Sequence, residues 1–172
     1  MTAFRRSMVL LATVLLGAAA SPASAQQRSI GSFGDWTAIV EGTGAQRICF
    51  IGSVPKTAEG KYTSRGEINV LVTHRPSERI EGEVSVTAGY TYKDGKDVEA
   101  EIDGRTFKLF SRGGNAWAQD AAADRTLVSA MKAGYQLVIR GTSSRGTLTT
   151  DTYSLSGFTA AYAAMDKACA GG

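Results

Sequence analysis

Reactive and metal-binding side chains are scarce in this chain of 172 residues. It has one histidine, His74, and two cysteines, Cys49 and Cys169. A single imidazole excludes metal sites that need two or more histidines, and two cysteines 120 positions apart cannot form a four-thiolate zinc site. We therefore expect no metal and no cofactor. With 43% hydrophobic and 20% charged residues, the composition is that of an ordinary globular domain.

Long hydrophobic runs are also missing. The longest covers residues 8–20, and these thirteen residues fall short of the ~20 that a helix needs to cross a bilayer. Two arginines precede the run, and the small residues of 21–25 follow it. This order predicts a cleaved signal peptide over residues 1–25, cut between Ala25 and Gln26. A retained membrane anchor is the alternative interpretation. It is disfavoured because the apolar run is short and because small residues precede the predicted cleavage site.

A charge excess of one sign is nearly absent from the predicted mature chain. Residues 26–172 number 147 and carry 17 Lys and Arg, since two of the 19 leave with the signal peptide, against 16 Asp and Glu. The two signs are interleaved, so no basic stripe follows a phosphate backbone and nucleic acid is not an expected partner. Proline is scarce and no linker appears, which predicts one domain over 26–172 with no membrane span.

Apolar residues alternate with polar ones over 68–74 and 84–90, which predicts two half-buried strands separated by a turn at Pro76. The dipeptide Asp103-Gly104 is favoured in two-residue hairpin turns. It predicts a hairpin over 98–109 in which residues 98 and 109 face each other. A second hairpin turn is predicted at 111–115, where a glycine-rich stretch lacks the Lys-Ser/Thr of a phosphate loop.

Two short helices are predicted, at about 121–134 and 157–169. Asp124 is expected to cap the first and Ser156 the second. The second carries apolar residues at three- and four-residue spacing, ending in Cys169. Together these elements predict a mainly β domain, an antiparallel β-sandwich or barrel-like fold of about seven to nine strands with two short helices.

Both cysteines occupy apolar faces, because Cys49 lies in the strand-like segment 47–51 and Cys169 ends the apolar face of the last helix. In an exported protein this favours a disulfide, which would stabilise the fold by about 5 kcal/mol in the chain-entropy model. Two buried free thiols or a redox pair are the alternatives. The redox pair is disfavoured, since exchange centres usually hold their cysteines two residues apart.

His74 and Trp117 are the two candidate contact residues. His74 could act as a general base, but no serine lies in a G-x-S-x-G context, and a strand-end histidine bonded to backbone or water is the favoured interpretation. Trp117 lies in a polar, glycine-flanked stretch, whereas Trp36 begins a strand and is expected in the core.

Five segments carry a resemblance to a known family. They are 33–36 (FGDW), 47–50 (RICF), 53–56 (SVPK), 72–76 (VTHRP) and 150–161 (TDTYSLSGFTAA). In this order they resemble the invasion-associated locus B family of exported bacterial proteins. The resemblance implies a small periplasmic or surface-associated β-rich domain with structural cysteines, in a family named for host-cell invasion. It offers no established catalytic residues.

The expected function is therefore a non-enzymatic protein of the periplasm or cell surface that binds a protein or an envelope component, with a role in host interaction. A periplasmic envelope hydrolase using His74 is one alternative. A stress-related, chaperone-like periplasmic protein is another, and it would need a large exposed apolar patch.

Overall fold

The computed structural model describes residues 27–170, which form eleven strands, two α-helices and two single-turn 3-10 helices at Gly44–Gln46 and Pro76–Glu78. The predicted signal peptide, 1–25, and its cleavage site at Ala25 and Gln26 lie outside the described residues. The strands are β1 Arg28–Phe33, β2 Trp36–Glu41, β3 Ile48–Ser53, β4 Thr57–Gly60, β5 Asn69–Arg75, β6 Ile80–Thr87, β7 Val98–Ile102, β8 Arg105–Arg112, β9 Asn115–Trp117, β10 Gln136–Thr142 and β11 Leu148–Ser154. The helices are α1 Ala121–Ala133 and α2 Phe158–Ala170.

The strands form one antiparallel sheet in the order β1-β2-β3-β5-β6-β9-β8-β7-β10-β11-β4. The sheet divides at β8, because residues 105–109 of this strand pair with β7 and residues 110–112 pair with β9. The prediction of a mainly antiparallel β fold with two short helices is confirmed. The strand number exceeds the expected seven to nine, since β1, β4 and β9 are exposed or very short and lack a clear apolar alternation.

The hairpin at Asp103-Gly104 has the predicted register, with Val98 opposite Leu109. Asp103 and Gly104 have φ of 48° and 83°, the positive values that a two-residue turn of this kind requires at both positions. The second predicted hairpin is also present, with its turn at Gly113 and Gly114 between β8 and β9. Local turn chemistry therefore determined both hairpins.

Helix α1 begins earlier than its predicted cap. Asp120, not Asp124, is the N-cap, and its Oδ1 accepts hydrogen bonds from the N–H groups of Ala122 and Ala123 at 2.9 and 2.8 Å. Both aspartates fit the sequence pattern of a cap, but Asp124 lies one turn inside the helix and points into the protein. The end of the helix is as expected, with the N–H of Gly134 donating to the carbonyl of Ala130 at 2.8 Å.

Helix α2 begins at Phe158, one residue later than expected. Ser156, the predicted cap, instead uses its backbone, since its N–H donates to Ser154 Oγ and its carbonyl accepts from the N–H of Asp35. The apolar spacing was right, because Phe158, Ala161, Tyr162 and Met165 are buried. Within residues 27–170, neither helix is both long and apolar enough to cross a membrane.

The two helices cover the first part of the sheet. Helix α2 packs on β1, β2 and β3, and helix α1 packs on β6. Trp36 is fully buried, and its ring meets that of Phe158 edge-on with centroids 4.9 Å apart. The structure thus places Trp36 in the core, as the sequence predicts.

Candidate functional site

A disulfide joins Cys49 of β3 to Cys169 in the last turn of α2, with 6.0 Å between the two Cα atoms. Arg47 strengthens the same connection, because its Nη1 donates a hydrogen bond of 3.0 Å to the carbonyl of Ala168. A cation at the C-terminal end of a helix also interacts favourably with the helix dipole. These contacts fasten α2 to the sheet and leave no free thiol for chemistry.

His74 lies beside this disulfide, directly opposite Cys49 on the neighbouring strand. Its side chain is buried, and both ring nitrogens have partners. Nδ1 accepts a hydrogen bond of 2.8 Å from the N–H of Gly82, and Nε2 lies 2.6 Å from Oδ1 of Asp166. Because Nδ1 is an acceptor, the proton of the neutral ring is on Nε2, which donates to Asp166.

This geometry removes the base that a hydrolase built on His74 would need. A general base must present a nitrogen lone pair to the proton it abstracts, and the lone pair on Nδ1 is already used by Gly82. The rings of His74 and Tyr162 are nearly perpendicular, with centroids 5.4 Å apart. Burial, with a smaller contribution from Asp166, raises the pKa of Tyr162 to about 12, so this neighbour does not supply a base at neutral pH.

Trp117, the second candidate contact, is only partly buried and lies at the end of β9. It is the cross-strand partner of Phe110, and the two ring centroids are 5.7 Å apart with planes tilted by 30°. Phe110 is 41% exposed, which is unusual for a large aromatic side chain. The two rings therefore form an accessible aromatic surface.

These rings line a groove of about 530 Å³, which we call the aromatic groove. Charged residues of both signs complete its wall, and they are Arg79, Glu81, Glu83, Arg112 and Asp120. The mixture resembles a protein-binding surface, in which aromatic side chains at the centre are surrounded by a polar rim.

Asp124 forms part of the same wall and links α1 to the sheet. Strand β9 ends opposite Ser85, so the N–H of Val84 projects beyond the last paired residue, and Asp124 Oδ1 accepts from it at 2.9 Å. Burial raises the pKa of the Asp124 carboxyl, although the bond from Val84 partly opposes this shift. The side chain therefore has a structural role that its position in the sequence does not reveal.

Sequence reasoning found Trp117 but missed Phe110. The signal was present, because the turn at Gly113 and Gly114 sets the register that places residue 110 opposite residue 117. Asp166 was also missed, and no local pattern links it to His74, 92 residues earlier. In residues 27–170, no group of three or more His, Cys, Asp or Glu side chains is arranged to hold a metal ion.

The fold and its contacts define a disulfide-linked, antiparallel β domain with an exposed aromatic groove. Comparison with known families gives a match over residues 36–166 to the family described as invasion associated locus B (IalB) protein. The chain belongs to this family.

The crystal structure of invasion associated protein b from Bartonella henselae is similar, with a TM-score of 0.55 and 18% sequence identity, covering 81% of this chain and 99% of that one. At this identity the similarity supports the shared fold. A search of curated protein sequences gave no match.

Proposed function

We propose that this protein is an exported, non-enzymatic binding module that acts in the periplasm or at the cell surface and uses the aromatic groove to bind a partner protein. The observation that carries the proposal is the accessible Phe110–Trp117 pair, with its charged rim. Export is supported by the signal-like pattern of residues 1–25 and by the disulfide, which is typical of oxidising compartments.

A protein is the favoured occupant because of how the groove is built. Aromatic side chains and arginine dominate the energetic centres of protein interfaces, and the groove contains Phe110, Trp117 and Arg112. The wall combines two arginines with four carboxylates, those of Glu81, Glu83, Asp120 and Asp124, and a polar rim that carries both signs fits a protein surface better than a simple anion or cation. The family name supports a role in host interaction, which is part of this proposal.

The alternatives have weaker support. The hydrolase would need His74 to act as a base, and its Nδ1 already accepts the hydrogen bond from Gly82. The chaperone-like function would need a large apolar patch. In the described part of the chain, the large exposed hydrophobic residues come from separate segments, and they are Val54, Tyr62, Phe110, Tyr135 and Leu148.

The test is a crosslinked pull-down from the bacterial envelope with the tagged mature protein and two variants. Trp117→Ala removes half of the aromatic pair, and Tyr135→Ala, at a side chain that is 86% exposed, is the matched control. We expect one partner to be recovered reproducibly with the wild type and the Tyr135 variant and lost with the Trp117 variant. Equal recovery with all three would contradict the role of the groove, and no reproducible partner would contradict the binding function.

A folding control keeps the test decisive, because Trp117 is partly buried. Arg112→Glu reverses a charge on the rim without removing an aromatic ring, and circular dichroism with thermal unfolding compares every variant with the wild type. A folded Arg112 variant is expected to recover less partner than the wild type.

A further inference from the structure

A second cleft, of about 400 Å³, lies over the side chain of Arg65, and we call it the Arg65 cleft. Three segments form it, residues 61–65, 89–91 and 143–149. Among the described residues it shares none of its lining with the aromatic groove. A ligand here would therefore be separate from the partner protein proposed above.

The floor of the cleft is a buried ion pair. Arg65 donates through Nη1 and Nη2 to the two carboxylate oxygens of Asp151, both at 2.7 Å, and through Nε and Nη2 to the carbonyl of Ala88. The guanidinium also lies over the rings of Tyr62 and Tyr90, at 5.1 and 5.0 Å from their centroids. Four of its five N–H groups are used in these bonds, so Arg65 is a fixed part of the wall.

The three segments are held together by further hydrogen bonds. The N–H of Gly66 donates to the carbonyl of Gly89 at 2.9 Å, and the N–H of Ser144 donates to the carbonyl of Thr91 at 2.8 Å. The Tyr90 hydroxyl lies 2.7 Å from Thr149 Oγ1. The cleft is thus preformed, which lowers the entropy that a ligand must overcome on binding.

The charge of the cleft comes from two exposed cations. Because Asp151 balances Arg65, the excess is supplied by Lys61 and Arg145, and the described lining contains no aspartate or glutamate. Low-dielectric walls around charges of one sign concentrate the field and attract an anion. The rest of the lining is rich in hydroxyl groups, those of Thr63, Ser64, Thr91, Ser143, Ser144 and Thr147.

The cleft also continues along the surface. A neighbouring groove of about 670 Å³ shares Lys61 and Thr147 with it and extends to Leu148. A small inorganic anion would occupy only part of this length. An extended ligand with several hydrogen-bonding groups and a negative charge fits it better.

We propose that the Arg65 cleft binds an acidic oligosaccharide, a sugar chain that carries carboxylate groups. Lys61 and Arg145 would pair with the carboxylates, and the hydroxyl side chains would exchange hydrogen bonds with the sugar hydroxyls. Tyr62 lines the cleft and is 37% exposed, so it supplies aromatic surface against which the C–H groups of a sugar can pack. An acidic peptide or a single-stranded nucleic acid is less suited, since the first carries few hydroxyls and the second needs several stacking rings.

The experiment titrates the mature protein with short oligomers of galacturonate and of hyaluronan, followed by calorimetry. The matched control ligand is the methyl-esterified galacturonate oligomer, which keeps the sugar chain and loses the charge. We expect the acidic oligomers to bind and the ester to bind at least about tenfold more weakly, because charge-assisted hydrogen bonds are lost.

Single variants then locate the site. Lys61→Ala and Arg145→Ala are each expected to weaken binding of the acidic oligomer about tenfold, while Arg105→Ala, an exposed cation at the β7–β8 turn, leaves it unchanged. Absence of binding by both acidic oligomers, equal binding of the ester, or binding unaffected by the Lys61 and Arg145 variants would overturn the proposal. Tighter binding of polyglutamate or an oligonucleotide would also overturn it.

Discussion

The indole N–H of Trp36 donates a hydrogen bond of 3.0 Å to the main-chain carbonyl of Ser154, 118 residues further along the chain. The same two regions meet again where the N–H of Asp35 donates to the carbonyl of Ser156, also at 3.0 Å. The turn between β1 and β2 is therefore fixed against the segment that leads into α2. This junction closes one end of the core.

Two of the segments that resemble the family form this junction. The segment FGDW at 33–36 supplies one side, and the segment SLSGF at 154–158 supplies the other. Trp36 and Phe158 then pack together beneath the turn. Both segments contribute to the packing at one end of the core, so their resemblance to the family concerns the architecture of the domain.

Replacing Gly157 by alanine tests this junction. Gly157 has φ of +86°, and a Cβ on it would overlap the carbonyl oxygen of Phe33. Gly104 is the matched control, because its φ is +83° and a Cβ there meets nothing within 4 Å. We expect Gly104→Ala to lower the free energy of unfolding by about 1–2 kcal/mol and Gly157→Ala to lower it by roughly 2 kcal/mol more, as measured by denaturant titration. Equal losses would contradict a tight junction.

Removing the disulfide is expected to destabilise the domain strongly. The bond between Cys49 and Cys169 closes a separation of 120 residues. In the chain-entropy model its loss costs about 5 kcal/mol, which for a domain of this size lowers Tm by roughly 10–20 °C. The Cys49→Ala/Cys169→Ala double variant should show this drop in a thermal melt.

Two controls accompany that measurement. A reductant should lower Tm of the wild type and leave that of the double variant unchanged. Thiol titration of the denatured wild type, purified without reductant, should find no free thiol. Two titratable thiols would show that the cysteines are unpaired.

Asp124 gives a pH-dependent prediction. Its folded-state pKa is raised by burial, so the folded protein holds this proton more tightly than the unfolded chain does. The ionised carboxylate of Asp124 therefore lowers the stability of the folded protein. This loss builds up as pH rises from the pKa of the unfolded chain to the higher folded-state pKa, and it is absent at lower pH. Asp124→Asn keeps an acceptor for the N–H of Val84 and removes the charge.

We expect the asparagine variant to gain stability relative to wild type as pH rises from about 4 to 7. Asp124→Ala leaves the N–H of Val84 without its acceptor and should lose about 1–3 kcal/mol at neutral pH. Urea titrations across this pH range measure both differences. Wild type gaining on the asparagine variant as pH rises would contradict the direction of the shift.

Local rules predicted most of the fold. The hairpin at Asp103-Gly104 needs only turn chemistry and alternation, and the buried face of α2 needs only the spacing of Phe158, Ala161 and Tyr162. The misassigned cap of α1 shows where such rules fail, because Asp120 and Asp124 are equally good caps in sequence. Only the end of β9 next to Val84 decides that Asp124 turns inward.

Long-range contacts set the candidate site, and sequence patterns do not encode them. Trp117 was identified from its polar surroundings, but its exposure depends on the pairing with Phe110. The partner of His74 is Asp166, on a different element, and the pair of Arg65 and Asp151 joins a loop to β11. Periodicity predicts which face of a strand or helix is buried. It does not predict which distant side chain contacts that face.

We propose that the aromatic groove carries the function by binding a partner protein. A photo-crosslinking amino acid at Gln119, an exposed residue of the groove wall, leaves Phe110 and Trp117 in place and captures that partner in the bacterial envelope, with a second variant at Tyr135 as the control. We expect a discrete crosslinked protein from position 119 and none from position 135, where the side chain is also exposed. No discrete product from position 119, or the same product from both positions, would contradict the proposed role of the groove.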